Sequence, residues 1–394
     1  MHNSVELFSV SVAQNDRGQE NYHRHPCPFD LRLDNSCRPI VLAVVEGNTP
    51  IPQPYIIPKL AGTSLLAGPN VVYRFPVTGN SSGGAFTLLT TDSPALPGSG
   101  VFLHTHRIHH ENFYCSKGRC ALWAATNATG DNARIMTAGD YGAVPQNMTH
   151  TFQLIDPDTM LTGVIAPGGF EKLFFFMGQP YESSTDSPFP PLTNANGSVV
   201  DKDPPPPHPV DGLEGFDVYA SPSYTPRTDF ENGTAPATAP WHNAPNTLPS
   251  DTKTPYFIAK NWGPKFLNKA AGFYQIVTPL ATSKTSGGLF SEGTLTISPL
   301  FANVAASSLP MLNLTQPLAF MMEEGAMMVE VEGYEGAEML VERDVLFVPK
   351  HTGFKYWAAR PFTKALYVTG GDGGLDGVLI DGGVEWDSAS YPSS

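Results

Sequence analysis

With 394 residues, 41% of them hydrophobic, the chain can bury a substantial core in one large or two medium domains. Its formal net charge is −14 with no basic run, which argues against nucleic acid and against an anionic membrane surface as partners, and no stretch reaches the roughly 18 consecutive apolar residues of a membrane span. Only 15% of residues are charged, while Gly and Pro number 37 and 38, a mix that suits short strands and turns better than long helices.

Residues 1–65 combine scattered prolines and charges with little periodicity. They read as an N-terminal extension of uncertain order, with one strand expected at Pro39–Val45. The first twenty residues have no basic start, no long apolar core and no small-residue cleavage site, so they do not read as an ordinary signal peptide. Against that, six Asn-X-Ser/Thr sequons, at Asn80, Asn127, Asn147, Asn196, Asn232 and Asn313, favour a secreted glycoprotein over a cytoplasmic protein. Four cysteines are too few to staple a chain of this length. Cys27 and Cys37 could close a short loop. Cys115 and Cys120 flank an expected hairpin turn, Ser116-Lys117-Gly118, and could face each other. The alternative for each pair is small buried side chains.

From Asn70 the character changes. Val71–Phe75 and Ala85–Leu89 read as strands, and short apolar runs recur at Phe113–Cys115, Ala121–Ala125, Tyr141–Val144, His150–Leu154, Met160–Ile165 and Lys172–Phe176. Evenly spaced short strands over 66–181 predict a sandwich or barrel. Residues 182–215 are Pro-rich and polar and read as a semi-rigid interdomain linker. Strand-like runs resume at Tyr274–Val277, Thr294–Ile297, Ala319–Met322, Met327–Val331, Val345–Val348 and Ala365–Val368. The second half, 216–394, is thus expected to be another all-β domain, and the whole a duplicated barrel.

The sharpest chemical signal is Gly98-(X)5-His104-X-His106-(X)4-Glu111-(X)6-Gly118, followed by Gly139-(X)5-Pro145-X-Asn147-(X)2-His150. His104 and His106 are two apart, so on a strand both imidazoles face the same side. Glu111 lies an odd number of residues further on, and a bulge or bend is needed to bring it to that side. His150 must arrive from a strand distant in sequence. An isolated His-X-His is common and His109 and His110 lie nearby, but the ordered spacing of both blocks makes chance a poor explanation. Three imidazoles and one carboxylate suit Cu, Fe, Ni, Mn, Co or Zn.

These blocks resemble the two motifs of the cupin superfamily, with Asn147 and Leu154 departing from the second. The runs His104–Gly118, Gly139–Phe152, Asp156–Thr159, Thr162–Glu171, Phe216–Ala220, Thr225–Asp229, Asn232–Pro236, Gly263–Lys265, Gly374–Asp376 and Gly382–Trp386 closely resemble the fungal quercetin 2,3-dioxygenases. The resemblance implies an all-β fold of two cupin (jelly-roll β-barrel) domains joined by the Pro-rich linker. It implies a mononuclear copper enzyme that opens the heterocycle of a flavonol with dioxygen, releasing carbon monoxide and a phenolic ester. His104, His106, His150 and Glu111 match the family's ligands, and Glu111 the residue that takes the substrate's 3-hydroxyl proton. Tyr73, Leu89, Thr91, Phe113, Phe152, Leu161, Gly163, Ile165 and Phe170 fall where the family lines its flavonol cavity, with ordinary barrel core as the alternative. Leu89 and Leu161 stand where Met is expected. The expected partners are a flavonol and dioxygen, with a second copy of the chain in a homodimer.

In the second half, Val341–Pro349 resembles the start of another second motif, but His351 comes too early and Lys355 and Tyr356 stand near the ligand position. Pro310–Gly325 contains no His. A C-terminal cupin lacking metal ligands is therefore expected. Two other readings compete with flavonol cleavage: a cupin oxygenase acting on another phenolic or polyketide substrate, and a non-catalytic bicupin.

Overall fold

Short β-branched and aromatic runs between glycine and asparagine turns build four main sheets in the computed structural model, which describes residues 8–14, 20–26, 52–67, 70–95, 101–126, 130–182, 188–190, 212–221, 223, 225–226 and 246–392. The first eight-stranded sheet runs, in spatial order, Gln179–Pro180, Thr63–Ala67, Val71–Val77, Thr87–Ser93, Thr159–Ala166, His110–Lys117, Tyr141–Val144 and Tyr256–Ile258. The second repeats that plan with Val384–Glu385, Phe266–Asn268, Gln275–Ala281, Phe290–Ile297, Thr363–Gly370, Leu318–Glu324, Val345–Val348 and Tyr55–Ile57. Each faces a smaller sheet, of five strands in the first half and four in the second.

The last strand of each large sheet comes from the other half of the chain. Ile258, Phe257 and Tyr256 pair with Tyr141, Gly142 and Ala143, while Ile57, Ile56 and Tyr55 pair with Val345, Leu346 and Phe347. The expected boundaries at 65/66 and 215/216 therefore do not coincide with the sheets. Tyr55–Ile57, inside the stretch read as an extension, is fully built into the second sheet, and Tyr256–Ile258, inside the expected second domain, belongs to the first. The expected strand at Pro39–Val45, Cys27 and Cys37, and most of the linker lie outside the described residues.

Two further expectations are corrected. Lys172–Phe176 is not a strand but part of a helix, Glu171–Met177, because Phe170, Leu173 and Phe174 then share one buried face. The Glu171 carboxylate fastens it by accepting from the Thr87 hydroxyl at 2.6 Å and the Gly79 amide at 3.0 Å. Ser116-Lys117-Gly118 is not a hairpin turn. The strands on either side, His110–Lys117 and Arg119–Thr126, lie in different sheets. Gly118 makes the corner with φ of +68°, and a Cβ there would come within 2.8 Å of the Asp158 carbonyl oxygen. Cys115 and Cys120 are free, buried thiols packed with Leu122, Met136 and Phe152.

Between the barrels lies a shared apolar layer that includes Tyr55, Tyr114, Tyr141, Tyr256, Phe290 and Phe347. Glu292 alternates with Phe290 on the same strand face, is fully buried, and neither of its oxygens meets a protein hydrogen-bond partner. Burial pushes its carboxyl well above the ordinary value of 4.5. Relative to an uncharged side chain, the stability it contributes is fully present below about pH 4.5 and is lost as pH rises toward the folded value. Urea unfolding should therefore show Glu292→Gln gaining on the wild type above pH 4.5, by up to about 1.4 kcal/mol per pH unit. A pH-independent difference between the two proteins would contradict the protonated state.

Candidate metal centre

His104 opens a two-residue strand of the five-stranded sheet, His104–Thr105, and His106 follows directly after it. His150 is the second residue of the neighbouring strand, Thr149–Leu154, and sits directly opposite His104. Glu111 comes from the facing eight-stranded sheet, where it pairs with Val144 and Ile165. The bend that the spacing demanded is thus a corner at 106–109 that carries the chain from one sheet to the other. Four ligand atoms from these residues lie within 4.8 Å of one another. His106 and His150 are 2% and 0% exposed, so a charge formed among them meets little water.

Each imidazole is oriented from behind. His104 Nδ1 lies 2.7 Å from the Phe102 carbonyl oxygen, His106 Nδ1 2.7 Å from that of Asp217, and His150 Nδ1 3.1 Å from that of Met148. A carbonyl only accepts, so each Nδ1 carries a proton and each Nε2 turns inward. Glu111 Oε2 lies 3.0 Å from His106 Nε2 and 2.9 Å from His150 Nε2. Lone pairs facing at that distance require a positive species between them, a proton or a metal ion. Burial opposes charge on Glu111, but hydrogen bonds from His106 and His150 hold its carboxyl well below the carboxylate range. Burial and two neighbouring imidazoles lower His104, which keeps it a neutral donor. His106 is raised: burial works most strongly against its charge, but the hydrogen bond and charge of Glu111, with the Asp217 carbonyl and carboxylate, together outweigh it.

His109 and His110 stand apart from this group. His109 Nδ1 donates to Asp217 Oδ2 at 2.8 Å. His110 points to the opposite face of its strand, edge-on to Phe290 at 5.3 Å.

Six of the nine pocket candidates form two rows across the large sheet, while Phe152 comes from the facing sheet and Phe170 from the start of the helix Glu171–Met177. Phe113, Gly163 and Leu89 are register partners in sequence across three strands, as are Leu161, Thr91 and Tyr73. All eight side chains among them are buried. Phe170 meets His106 edge-on at 4.8 Å, and Phe113 lies 6.1 Å from the His150 ring and 5.6 Å from Phe152. The charge of Glu111 reaches Tyr73, adding to the burial that raises its phenol. A Cβ at Gly163 would touch Leu89 at 3.3 Å, so glycine keeps open the space between the Phe113 and Leu89 strands.

Register also locates the equivalent positions in the second half. Leu312 pairs with Phe354 where His104 pairs with His150, Leu314 follows where His106 stands, and Leu318 pairs with Val348 where Glu111 pairs with Val144. The His150 equivalent is therefore Phe354 and not Lys355 or Tyr356. Leu314, Leu318 and Phe354 pack into the second barrel's core, where burying each contributes roughly 1.5–3 kcal/mol. His351 is exposed in the preceding turn.

Asp217, outside both motifs, was missed as a site residue. Its segment, Phe216–Ala220, stood among the matching runs, but nothing in its composition marked it as a neighbour of the histidines.

No family model matches the chain. Over 350 residues it is 41% identical to a quercetin 2,3-dioxygenase of Aspergillus japonicus, an alignment covering 89% of this chain and 98% of that one. A quercetin 2,3-dioxygenase of Bacillus subtilis is 28% identical over 174 residues, 43% of this chain and 49% of that one. Among solved structures, an oxalate decarboxylase of Lactobacillus farciminis aligns with a TM-score of 0.47 at 16% identity, covering 82% and 88% of the two chains. A variant oxalate decarboxylase of Bacillus subtilis aligns with a TM-score of 0.46 at 12% identity, covering 83% and 79%.

Proposed function

The chain belongs to the quercetin 2,3-dioxygenase family, and from that premise we propose which of its residues carry the reaction and which ion they hold. It is a two-cupin dioxygenase that opens the heterocycle of flavonols with dioxygen, releasing carbon monoxide and a phenolic ester. The observation that carries this reading is 41% identity over nearly the whole of both chains.

The ion proposed for His104, His106, His150 and Glu111 is Cu(II). Three inward Nε2 atoms and a carboxylate, buried together, suit it, and the same donor set accommodates Fe, Ni, Mn, Co or Zn. Bound there, the ion supplies Lewis-acid stabilisation of the flavonol's 3-oxyanion and a redox partner for its reaction with dioxygen. Glu111 is the proposed base: the substrate's O3–H bond breaks and the proton passes to a carboxylate oxygen. Tyr73, Leu89, Thr91, Phe113, Phe152, Leu161, Gly163, Ile165 and Phe170 are proposed to hold the flat substrate and exclude water. The second barrel, with leucines and phenylalanine at the equivalent positions, serves as a packing partner. The chain is also proposed to be a secreted glycoprotein, a reading supported by exposed asparagines at the three described sequons, Asn80, Asn147 and Asn313.

Anaerobic titration of the copper-loaded protein with quercetin tests the function directly. A shifted flavonol spectrum should be followed, on admitting dioxygen, by stoichiometric carbon monoxide. No spectral shift in protein verified to hold copper would remove quercetin as the substrate. A shift without carbon monoxide would point to a different phenolic substrate or a different ion.

A further inference from the structure

We propose that Asp217, which arrives after the linker, is a positioning residue of the metal centre: it fixes the corner that sets Glu111 against the histidines and the ring of His106 itself. The inference rests on reading the four-residue cluster as a metal site.

Corner 106–109 holds the odd spacing between His106 and Glu111, so its conformation decides how the carboxylate meets the imidazoles. Three consecutive backbone N–H groups of this corner turn toward one carboxylate. Arg107 N donates to Asp217 Oδ1 at 3.0 Å, while Ile108 N and His109 N donate to Oδ2 at 2.8 and 2.9 Å. The His109 ring adds a fourth bond at 2.8 Å. Successive amides converging in this way make a concave anion site, and here the anion is a side chain of the same protein. The Asp217 carbonyl accepts from His106 Nδ1 at 2.7 Å, so one residue holds both a ligand ring and the corner beyond it.

Asp217 is itself held firmly. Its φ of +65° lies in the left-handed region that Asp and Asn enter more readily than other non-glycine residues. Leu213 and Val218 on either side are buried in the cluster that contains Phe170 and Tyr73. Tyr219 and Ala220 pair with Thr105 and His104, and the Arg107 guanidinium stacks on the Tyr219 ring at 3.7 Å. Ser221 N donates to the Leu103 carbonyl at 2.9 Å. Segment 212–221 is thus registered against the strand that carries His104 and leads into His106.

The test is Asp217→Asn in the full-length, copper-loaded enzyme. Asn tolerates the same backbone and keeps one acceptor oxygen but cannot receive all four bonds. Loss of a second-layer contact of this kind should weaken copper(II) binding about 10–100-fold. The electron paramagnetic resonance spectrum of the bound copper should change, and kcat should fall while KM stays within about twofold, since the ligand geometry and not the flavonol slot is disturbed. A folded variant with wild-type copper affinity and spectrum would overturn the proposal, whatever its stability. Should Asp217→Asn fail to fold, His109→Ala decides: it removes one donor to the same carboxylate. A copper spectrum altered from the wild type supports the role, and an unchanged spectrum overturns it. A wild-type protein that binds no transition-metal ion would instead sink the metal reading itself.

Discussion

Glu111→Gln should leave copper bound and cut kcat by about 10²–10⁴-fold, the range that a positioned general base supplies. The substitution keeps the shape of the side chain and one oxygen that can lie beside His106 and His150. It removes the capacity to take a proton. Three inward imidazoles remain to hold the ion, each fixed by a carbonyl behind it. The flavonol should still enter the slot, because Phe113, Leu161 and Phe170 are untouched, so KM should change far less than kcat. Metal analysis together with steady-state kinetics checks this. Copper retained with unchanged turnover would remove Glu111 as the proton acceptor.

His150→Ala should abolish the metal site while leaving the barrel standing. His150 is fully buried and joins the two sheets at the ligand cluster through Glu111. Loss of an outer contact costs up to about 100-fold in metal affinity, and loss of a ligand should cost more than that. The same substitution leaves Glu111 with His106 as its remaining ring partner. In thermal denaturation, added copper(II) should raise the wild-type Tm by binding the folded state, and the variant should show no such rise. Stoichiometric copper in His150→Ala with the wild-type spectrum would exclude His150 as a ligand.

His104 and His106 were legible because alternation on a strand is local: residues two apart share a face wherever the strand sits. Glu111 was legible only as a parity problem. Spacing demanded a bend, but the bend that forms is a change of sheet, stabilised by a carboxylate that enters the site after the linker. The same kind of miss recurs at Ser116-Lys117-Gly118, where turn residues looked like a hairpin although they lead from one sheet to another. In the second half, counting along the motif pointed to Lys355 and Tyr356, whereas strand pairing selects Phe354. Lys172–Phe176 is apolar enough for either a strand or a helix, and a short run does not decide between them without a packing partner.

By itself, the amino-acid order determined what depends on neighbours in the chain: a turn-rich all-β composition, a duplicated set of short strands, and two imidazoles on one face with a carboxylate and a third imidazole at ordered distances. Tertiary structure decided what depends on long-range pairing. It exchanged Tyr55–Ile57 and Tyr256–Ile258 between the barrels, brought His150 opposite His104, and placed Asp217 beneath the corner that aims Glu111. The physical reason is that a strand's backbone groups bond to whichever edge the packed core presents, and local propensity does not record which edge that will be.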